Sequence, residues 1–342
     1  MLTGTGAYRI LELAERSLDL GSDDRAAAER ELRDAADEVS QAIDWLLDHD
    51  PRGALRLAGS LSFFWQDTGR LDEGRATTDR VLAHATASDD AAIARLQLVA
   101  SELAFRQGDQ VQATRRADTC IALARRVDDR PTEAMADLLL ARVALRDEDA
   151  SRIERHAEHA LSIAPDDPWV RRGAVHMLAW AAHTAGDRAS ARRRFEASVE
   201  LRTAQHDRFG AAVEAANLGD LAAEDGDLAE AGRRLRDALL VAMESDSRYL
   251  VVNLLPSLAV VAAKAGADEL AARCIGAAER AADDAALDPD PGAWQPVLDD
   301  VERRLGARYA GLQAEGRALP PDAALRLALS IADLVDPPGR TG

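Results

Sequence analysis

The sequence predicts an all-α fold, a right-handed solenoid of antiparallel helix pairs closed by helical caps, on three observations. First, a glycine turn recurs at nearly constant spacing. It reads Gly69-Arg70-Leu71-Asp72-Glu73-Gly74, then Gly108-Asp109 to Ala113, Gly186-Asp187 to Ala191, Gly226-Asp227 to Ala231 and Gly266-Ala267 to Ala271. The steps are 39, 40 and 40 residues, and the 78-residue gap between Gly108 and Gly186 holds a glycine-free copy near Arg146 to Ile153. A fixed period of this size marks a stack of two-helix units, each too small to bury its own apolar face. Second, the segments between turns carry apolar residues at helical spacing. Third, apolar residues make up 47% of the chain but aromatics only 4%, so alanine and leucine must fill the core and the helices must pack closely. Because such an array grows by addition, the 342 residues are expected to form one elongated domain.

Residues 1–51 read as an N-terminal cap without a glycine turn. Tyr8, Ile10, Leu11, Leu13 and Leu18 predict a helix over 8–20, closed by Gly21-Ser22-Asp23-Asp24. A second helix runs through Leu32, Val39, Ile43, Trp45 and Leu46 until His49-Asp50-Pro51 stops it. Trp65, with Phe63 and Phe64, is expected at the junction of cap and repeats, since the Trp45 helix needs an apolar partner.

Residues 52–283 are expected to form about six repeats of helix A, tight turn, helix B and polar linker. In the clearest unit the pattern is Leu218, Gly219, Ala222, Gly226, Ala231, Leu235 and Ala238. Leu178, Ala179, Ala182, Gly186, Ala191 and Phe195 repeat it, as do Leu258, Ala259, Ala262, Gly266, Ala271 and Ile275. Small residues let helices A and B approach, glycine closes the turn, and large residues fill the gap between units. These offsets resemble the tetratricopeptide repeat, although the period exceeds its usual ~34 residues. The third unit carries Arg146-Asp147-Glu148-Asp149 in place of the glycine turn, so an irregularity is expected there. Pro256 is expected to begin or kink the last helix A.

Residues 284–335 read as a C-terminal cap. Leu287-Asp288-Pro289-Asp290-Pro291-Gly292 predicts a rigid linker. One helix then carries Trp294, Val297, Leu298, Val301, Leu305, Tyr309 and Leu312, and a second, started by Pro320-Pro321-Asp322, carries Leu325, Leu327, Leu329, Ile331 and Leu334. The two are expected to cover the open end of the stack, and the tail, residues 336–342, to be disordered.

The net charge of −18 and pI near 4.8 argue against nucleic-acid binding, which needs a dense basic surface. Cys120 and Cys274 lie in helical apolar patterns and are expected to be buried free thiols in a reducing cytoplasm. The most apolar stretch, Tyr249 to Ala263, is interrupted by Asn253, Pro256 and Ser257, so no membrane segment is predicted.

Both ends resemble a narrower family. Tyr8-Arg9-Ile10-Leu11-Glu12-Leu13 is similar to the segment that follows the winged-helix subdomain in bacterial STAND-type signal-transduction ATPases, whose regulators carry an NB-ARC-like module. Glu31 to Asp48, ending Ala42-Ile43-Asp44-Trp45-Leu46-Leu47, resembles the first helix of their repeat domain. Arg304-Leu305-Gly306-Ala307 and Ala314-Glu315-Gly316-Arg317-Ala318-Leu319 resemble the way many of them end. The resemblance implies a sensor arm of a transcriptional regulator, whose repeats bind a protein, a peptide or a small inducer and self-associate. It implies no ATP hydrolysis by this chain: a phosphate-binding loop needs Gly-Lys followed by Ser or Thr, and Lys264, the only lysine, precedes Ala265.

No catalytic, cofactor or metal site is expected. His156 and His159 stand three apart, but without a third ligand in the pattern they read as an exposed helical face. The seven histidines and two cysteines show no nucleophile–base spacing. The sharper expectation is a ligand groove. Helix A lines the concave side of tetratricopeptide folds, and the turn register places Arg56, Phe63, Gln66, Arg95, Glu102, Phe105, Arg142, His176, Trp180, His183, Asp220 and Asn253 there. His176, Trp180 and His183, at i, i+4 and i+7, share one helix face. Core packing of Trp180 between repeats stays open beside this reading. So do a standalone adaptor holding two proteins, and an enzyme or small-molecule carrier using His176 and His183 as acid and base.

Overall fold

The computed structural model describes residues 2–18, 23–86, 89–285, 287 and 294–337. Among the described residues every regular element is helical, and successive helices pack as antiparallel pairs. The fold is a tetratricopeptide-like helical-repeat solenoid. The chain separates into two compact units, Met1–Asp187 and Arg188–Gly342. No described helix is long and apolar enough to cross a membrane.

The first unit begins with α1 (Gly4–Arg16), α2 (Asp23–Asp34) and α3 (Ala36–His49). The expected second helix is therefore two, broken at Ala35, whose φ of −95° and ψ of 23° leave the helical region. Asp50 ends α3 and caps the next helix by accepting from the Gly53 N–H, with Pro51 in the first turn. The expected first helix A also divides, at Gly59-Ser60-Leu61, into α4 (Pro51–Ala58) and α5 (Ser62–Asp67). Next come α6 (Leu71–Ala83), α7 (Asp90–Arg106), α8 (Gln110–Arg126), α9 (Arg130–Arg146), α10 (Ala150–Ile163) and α11 (Pro168–Thr184). Trp65 is fully buried, its ring lying over Gly74, where a Cβ would stand 2.7 Å from it and 2.9 Å from Leu103. Trp45 has its aromatic partners inside the cap: Tyr8, edge to face at 6.0 Å, and His49, stacked at 4.2 Å.

A single turn type links most of the helices. Gly69, Gly108, Gly186, Gly226 and Gly266 all have φ between 69° and 84°, as the repeat pattern requires. Asp128, Glu148, His206 and Asp246 adopt the same left-handed backbone with φ between 50° and 56°. The expected polar linkers between repeats are thus further copies of the A–B turn, and left-handed residues recur about every 20 positions. At each, the next N–H reaches back to close the helix end, as in Asp109 to the Ala104 carbonyl, Asp129 to Ala124, Asp149 to Ala144 and Asp207 to Arg202. The residue donating that N–H then caps the following helix: Asp109, Asp129, Asp149, Asp207, Asp227 and Ser247 each accept from the N–H three residues on. Glu148 gives the glycine-free unit the same turn. The irregularity lies after it, where α10 stops at Ile163 and a longer connection leads to Asp167, the cap of α11.

Left-handed backbone costs a residue with a Cβ about 1 kcal/mol. Gly226→Ala, where nothing lies within 4 Å of the added Cβ, is therefore expected to lower stability by about that amount. Glu148→Gly is expected to raise stability by somewhat less, because glycine also frees the unfolded chain. Thermal melts should move by ~2–4 °C in opposite directions. Two unshifted melts would remove the strain argument.

The second unit comprises α12 (Arg188–Ala204), α13 (Arg208–Glu224), α14 (Leu228–Glu244), α15 (Arg248–Lys264) and α16 (Asp268–Ala285), followed by α17 (Gln295–Leu305), a 3₁₀ turn (Gly306–Arg308), α18 (Tyr309–Arg317) and α19 (Pro321–Val335). Ala222, Ala231, Leu235, Ala238, Leu258, Ala259, Ala262 and Ala271 are buried together, which is why the pattern selects small residues there. Pro256 lies buried inside α15 and does not begin it. The expected helix over Trp294 to Leu312 is broken at Gly306, whose φ of 53° with ψ of −129° is open essentially to glycine. The linker expected at Leu287 to Gly292 and the last tail residues fall outside the described residues, except Leu287, whose N–H donates to the Ala282 carbonyl at 3.1 Å.

The C-terminal helices cover this unit in two ways. α18 packs on α16 through two glycines: a Cβ on Gly276 would stand 1.9 Å from the Gln313 carbonyl oxygen, and one on Gly316 1.9 Å from that of Arg273. α19 reaches back past α15 and α16 to α14. There Arg236 donates to Asp333 at 3.0 Å, to Asp336 at 2.9 Å and to the Ala332 carbonyl at 3.2 Å.

Candidate functional site

In the first unit the A-helix positions assemble into two clusters. The first begins at Gln66 on α5, which is buried and donates to the Ser62 carbonyl at 3.1 Å and to Ser62 Oγ at 2.9 Å. Ser62 Oγ donates to Glu102 Oε2 on α7 at 2.6 Å, and Arg142 Nη1 on α9 donates to Glu102 Oε1 at 3.2 Å. The Arg142 guanidinium also stands over the ring of Phe105, 4.5 Å from its centre, and that of Arg146 stands at 4.8 Å. Four predicted residues, Gln66, Glu102, Phe105 and Arg142, are thus joined across three successive A helices. Ser62, Arg106 and Arg146 complete the group, and the repeat register had not selected them.

Glu102 is the electrostatic centre of this row. Burial pushes its carboxyl up, but Arg142, Arg106 and the Ser62 hydroxyl outweigh that and hold it below the ordinary glutamate range. A depressed folded-state value means that this stabilisation is present above the unfolded pKa of about 4.3 and is lost as pH falls through the folded value. Glu102→Gln is therefore expected to cost on the order of 1 kcal/mol at neutral pH and nothing once both forms are acidified. Melting curves of the two proteins from pH 7 down to pH 3 check this. A constant gap across that range would contradict it.

The second cluster lies on α11. Trp180 is half-buried, and its ring meets His176 edge to face at 6.4 Å and His183 at 5.3 Å, so the i, i+4, i+7 face is assembled as spaced. Trp180 also packs against the buried group that includes Met177, Ala181 and Leu138. It is thus anchored in the core of this unit while its ring stays only half-buried.

Arg56 on α4 is taken by the cap helix α1, where Glu15 accepts two hydrogen bonds of 2.8 Å from its guanidinium. Arg95 is largely exposed and pairs with Asp129 of the next turn at 3.5 Å. Phe63 is half-buried on α5. Asp220 and Asn253 belong to the second unit, where both are half-buried, and Asn253 donates to the Tyr249 carbonyl of its own helix at 2.7 Å.

Two arrangements in the first unit escaped the sequence altogether. Trp169, in the first turn of α11, donates its indole N–H to the Leu18 carbonyl after α1 at 3.2 Å. Its ring also contacts the guanidinium of Arg25 at 5.0 Å and that of Arg172, which is buried, at 4.3 Å. Elsewhere, His156 and His159 on α10 do not simply face solvent: both turn to the buried Asp137 of α9. Cys120 and Cys274 are buried free thiols, pushed up to about 12 chiefly by burial, and so are not nucleophiles at neutral pH.

No protein-family model matches the chain, and no curated protein matches its sequence. Among solved structures, a Rap protein complexed with competence and sporulation factor is similar to 96% of this chain over 98% of its own length, with a TM-score of 0.62 and 9% identity. The apo form of RapI matches 96% of this chain over 95% of its own, with a TM-score of 0.44 and 14% identity. BtubC from P. vanneervenii matches 75% over 92%, with a TM-score of 0.44 and 15% identity. The first of these likenesses is one of fold: the Rap protein is built on the same helical-repeat plan.

Proposed function

We propose that this chain is a non-catalytic recognition module that holds a peptide or a peptide segment of a partner protein against the A-helix face of its first unit. The observation that carries the reading is the pairing of two half-buried clusters on successive A helices: the Glu102–Arg142 row with Phe105 on α7 and α9, and Trp180 between two histidines on α11. A carboxylate and guanidiniums in a row suit the amide and charged groups of a peptide, and a half-buried indole suits the apolar anchor that concentrates binding energy. The Rap structure with a TM-score of 0.62 was solved with a bound factor, which supports a recognition role for this fold. With both cysteines held as thiols, no activated sulfur nucleophile stands beside this reading.

The finer reading is that of a sensor arm in a STAND-type transcriptional regulator, supported by the residues quoted for that resemblance. Filling the A-helix face would then shift the population between two arrangements of the repeats, or between free and self-associated chains, to the extent that the ligand binds them unequally. A standalone adaptor would use the same face to join two proteins. The two readings part on the size of the native protein, which an immunoblot with an antibody to the repeats measures.

The recognition reading is tested by panning a displayed random-peptide library on the immobilised wild-type chain and on the Trp180→Ala/Arg142→Ala variant. Sequences enriched on the wild type and lost on the variant are expected. Enrichment on neither protein, or equally on both, would overturn it.

A further inference from the structure

The structure assigns a binding site for a divalent transition metal of the zinc type to the α9/α10 helix pair. Three candidate ligands meet there, Glu133 and Asp137 from α9 and His159 from α10, and His156 of α10 stands beside them at Asp137. α9 presents Glu133 and Asp137, four residues apart, and α10 presents His156 and His159, three apart, so each pair lies on one helix face. Antiparallel packing turns the two faces together. His156 Nδ1 stands 3.0 Å from Asp137 Oδ1, and His159 Nδ1 stands 2.7 Å from Asp137 Oδ2. Glu133, Asp137 and His159 each offer a ligand atom, and these atoms all lie within 4.8 Å of one another.

The donor chemistry selects the class of ion. Imidazole nitrogen with carboxylate oxygen suits Zn²⁺ and its first-row neighbours, whereas Ca²⁺ and Mg²⁺ prefer oxygen alone. Ligand bonds of about 2.0–2.2 Å in a tetrahedral site put neighbouring donors about 3.4 Å apart, so the imidazoles would open slightly from Asp137 while the group, spread within 4.8 Å, closes around the ion. Two carboxylates also match the charge of a dication. Both acids are buried, with Glu133 at 8% and Asp137 at 5% exposure, while the His159 side chain is 45% exposed. The carboxylates thus form a fixed floor, and the solvent side gives the ion a way in. Arg125 Nε donates to Glu133 Oε1 at 2.6 Å, which positions that carboxylate but competes for one of its oxygens.

Facing helices in bundles build metal sites from inward-facing Glu and His, because a rigid backbone fixes the ligands before the ion arrives. Here the ion would clamp helix A to helix B in the unit whose turn carries Glu148 in left-handed backbone in place of glycine. Metal binding would stabilise the unit by linkage, as any ligand of the folded state does.

The test uses the full chain, free of any affinity tag and treated with chelator, titrated with Co²⁺ and followed by visible absorption, with Zn²⁺ then added to displace it. One Co²⁺ per chain is expected, with bands of four- or five-coordinate intensity that Zn²⁺ abolishes. His156→Ala/His159→Ala is expected to weaken Co²⁺ binding at least ~100-fold, and His159→Gln alone at least ~10-fold, with unchanged helical circular dichroism. Arg125→Ala keeps Glu133, Asp137 and both histidines and is expected to tighten binding several-fold. Absence of a saturable band in the wild type, or a band that survives in the double histidine variant, would overturn the assignment and leave the histidines as hydrogen-bond donors that steady Asp137.

Discussion

Gly316→Ala is expected to push α18 off α16 and destabilise the second unit. The new Cβ would stand 1.9 Å from the Arg273 carbonyl oxygen and 2.6 Å from its carbon. Both are main-chain atoms inside α16, so no rotamer change relieves the clash, and α18 must withdraw by more than an ångström. That withdrawal opens the contact that buries Leu312, Ile275 and Ala272. Overpacking commonly costs 1–3 kcal/mol, and a backbone-on-backbone clash belongs at or above the top of that range, about 3 kcal/mol or more. The corresponding fall in melting temperature is roughly 6–12 °C. Gly276→Ala should behave alike, its Cβ meeting the Gln313 oxygen at 1.9 Å. Gly311→Ala supplies the control: it lies on the same α18 with nothing within 4 Å of the added Cβ, and alanine there should gain about 0.5–1 kcal/mol of helix propensity. Thermal unfolding followed by circular dichroism reads all three. A Gly316→Ala protein that melts with the wild type would mean that α18 does not sit on α16 as described.

Trp180→Ala combined with Arg142→Ala is expected to abolish peptide binding while the chain still melts cooperatively near the wild-type temperature. Trp180 is half-buried with both histidines beside its ring, so its removal takes an anchor from the binding face and only part of its packing from the core group of Met177, Ala181 and Leu138. Anchors of this kind are worth about 2–4 kcal/mol, or roughly 30- to 1,000-fold in affinity. Arg142→Ala leaves Glu102 its Ser62 hydroxyl at 2.6 Å and the nearby Arg106 charge, so the carboxylate keeps partners and the fold holds. Trp65 provides the contrast. It has no exposure, and Trp65→Ala should cost about 3–5 kcal/mol and unfold the first repeats. Isothermal titration with a peptide taken from the panning experiment, set beside the melts, separates the two tryptophans. If Trp180→Ala lost as much stability as Trp65→Ala, Trp180 would be a core residue and the A-helix face would lose its anchor.

The repeat architecture was legible wherever glycine marked a turn, because a left-handed residue without a Cβ penalty leaves a visible letter. Asp128, Glu148, His206 and Asp246 adopt the same backbone with ordinary side chains, and for that reason read as linkers or as a defect. The signal that reveals them is the residue that follows. Asp129, Asp149, Asp207 and Ser247 all cap the next helix, and an acid or serine every 20 positions is the fuller pattern. The break at Ala35 left no trace, since neither glycine nor proline stands there. Within the candidate site, the His176–Trp180–His183 face was readable because one helix carries all three. The convergence of His156 and His159 on Asp137 was not, because the partners are 19 and 22 residues away on another helix. The pairing of Arg56 with Glu15 of α1 was unreadable for a related reason: repeat register says nothing about where a cap helix will lie.

The hydrogen bond from Trp169 to Leu18 also bears on how fast the first unit can form. Helical arrays fold quickly as a rule, since every contact is made with a neighbour in sequence and the ends can come and go independently. This bond joins groups 151 residues apart. Closing so long a loop carries an entropic toll that no local helix pairing repays in advance. The cap and α11 should therefore lock together last on refolding, and fraying of either gives up this bond.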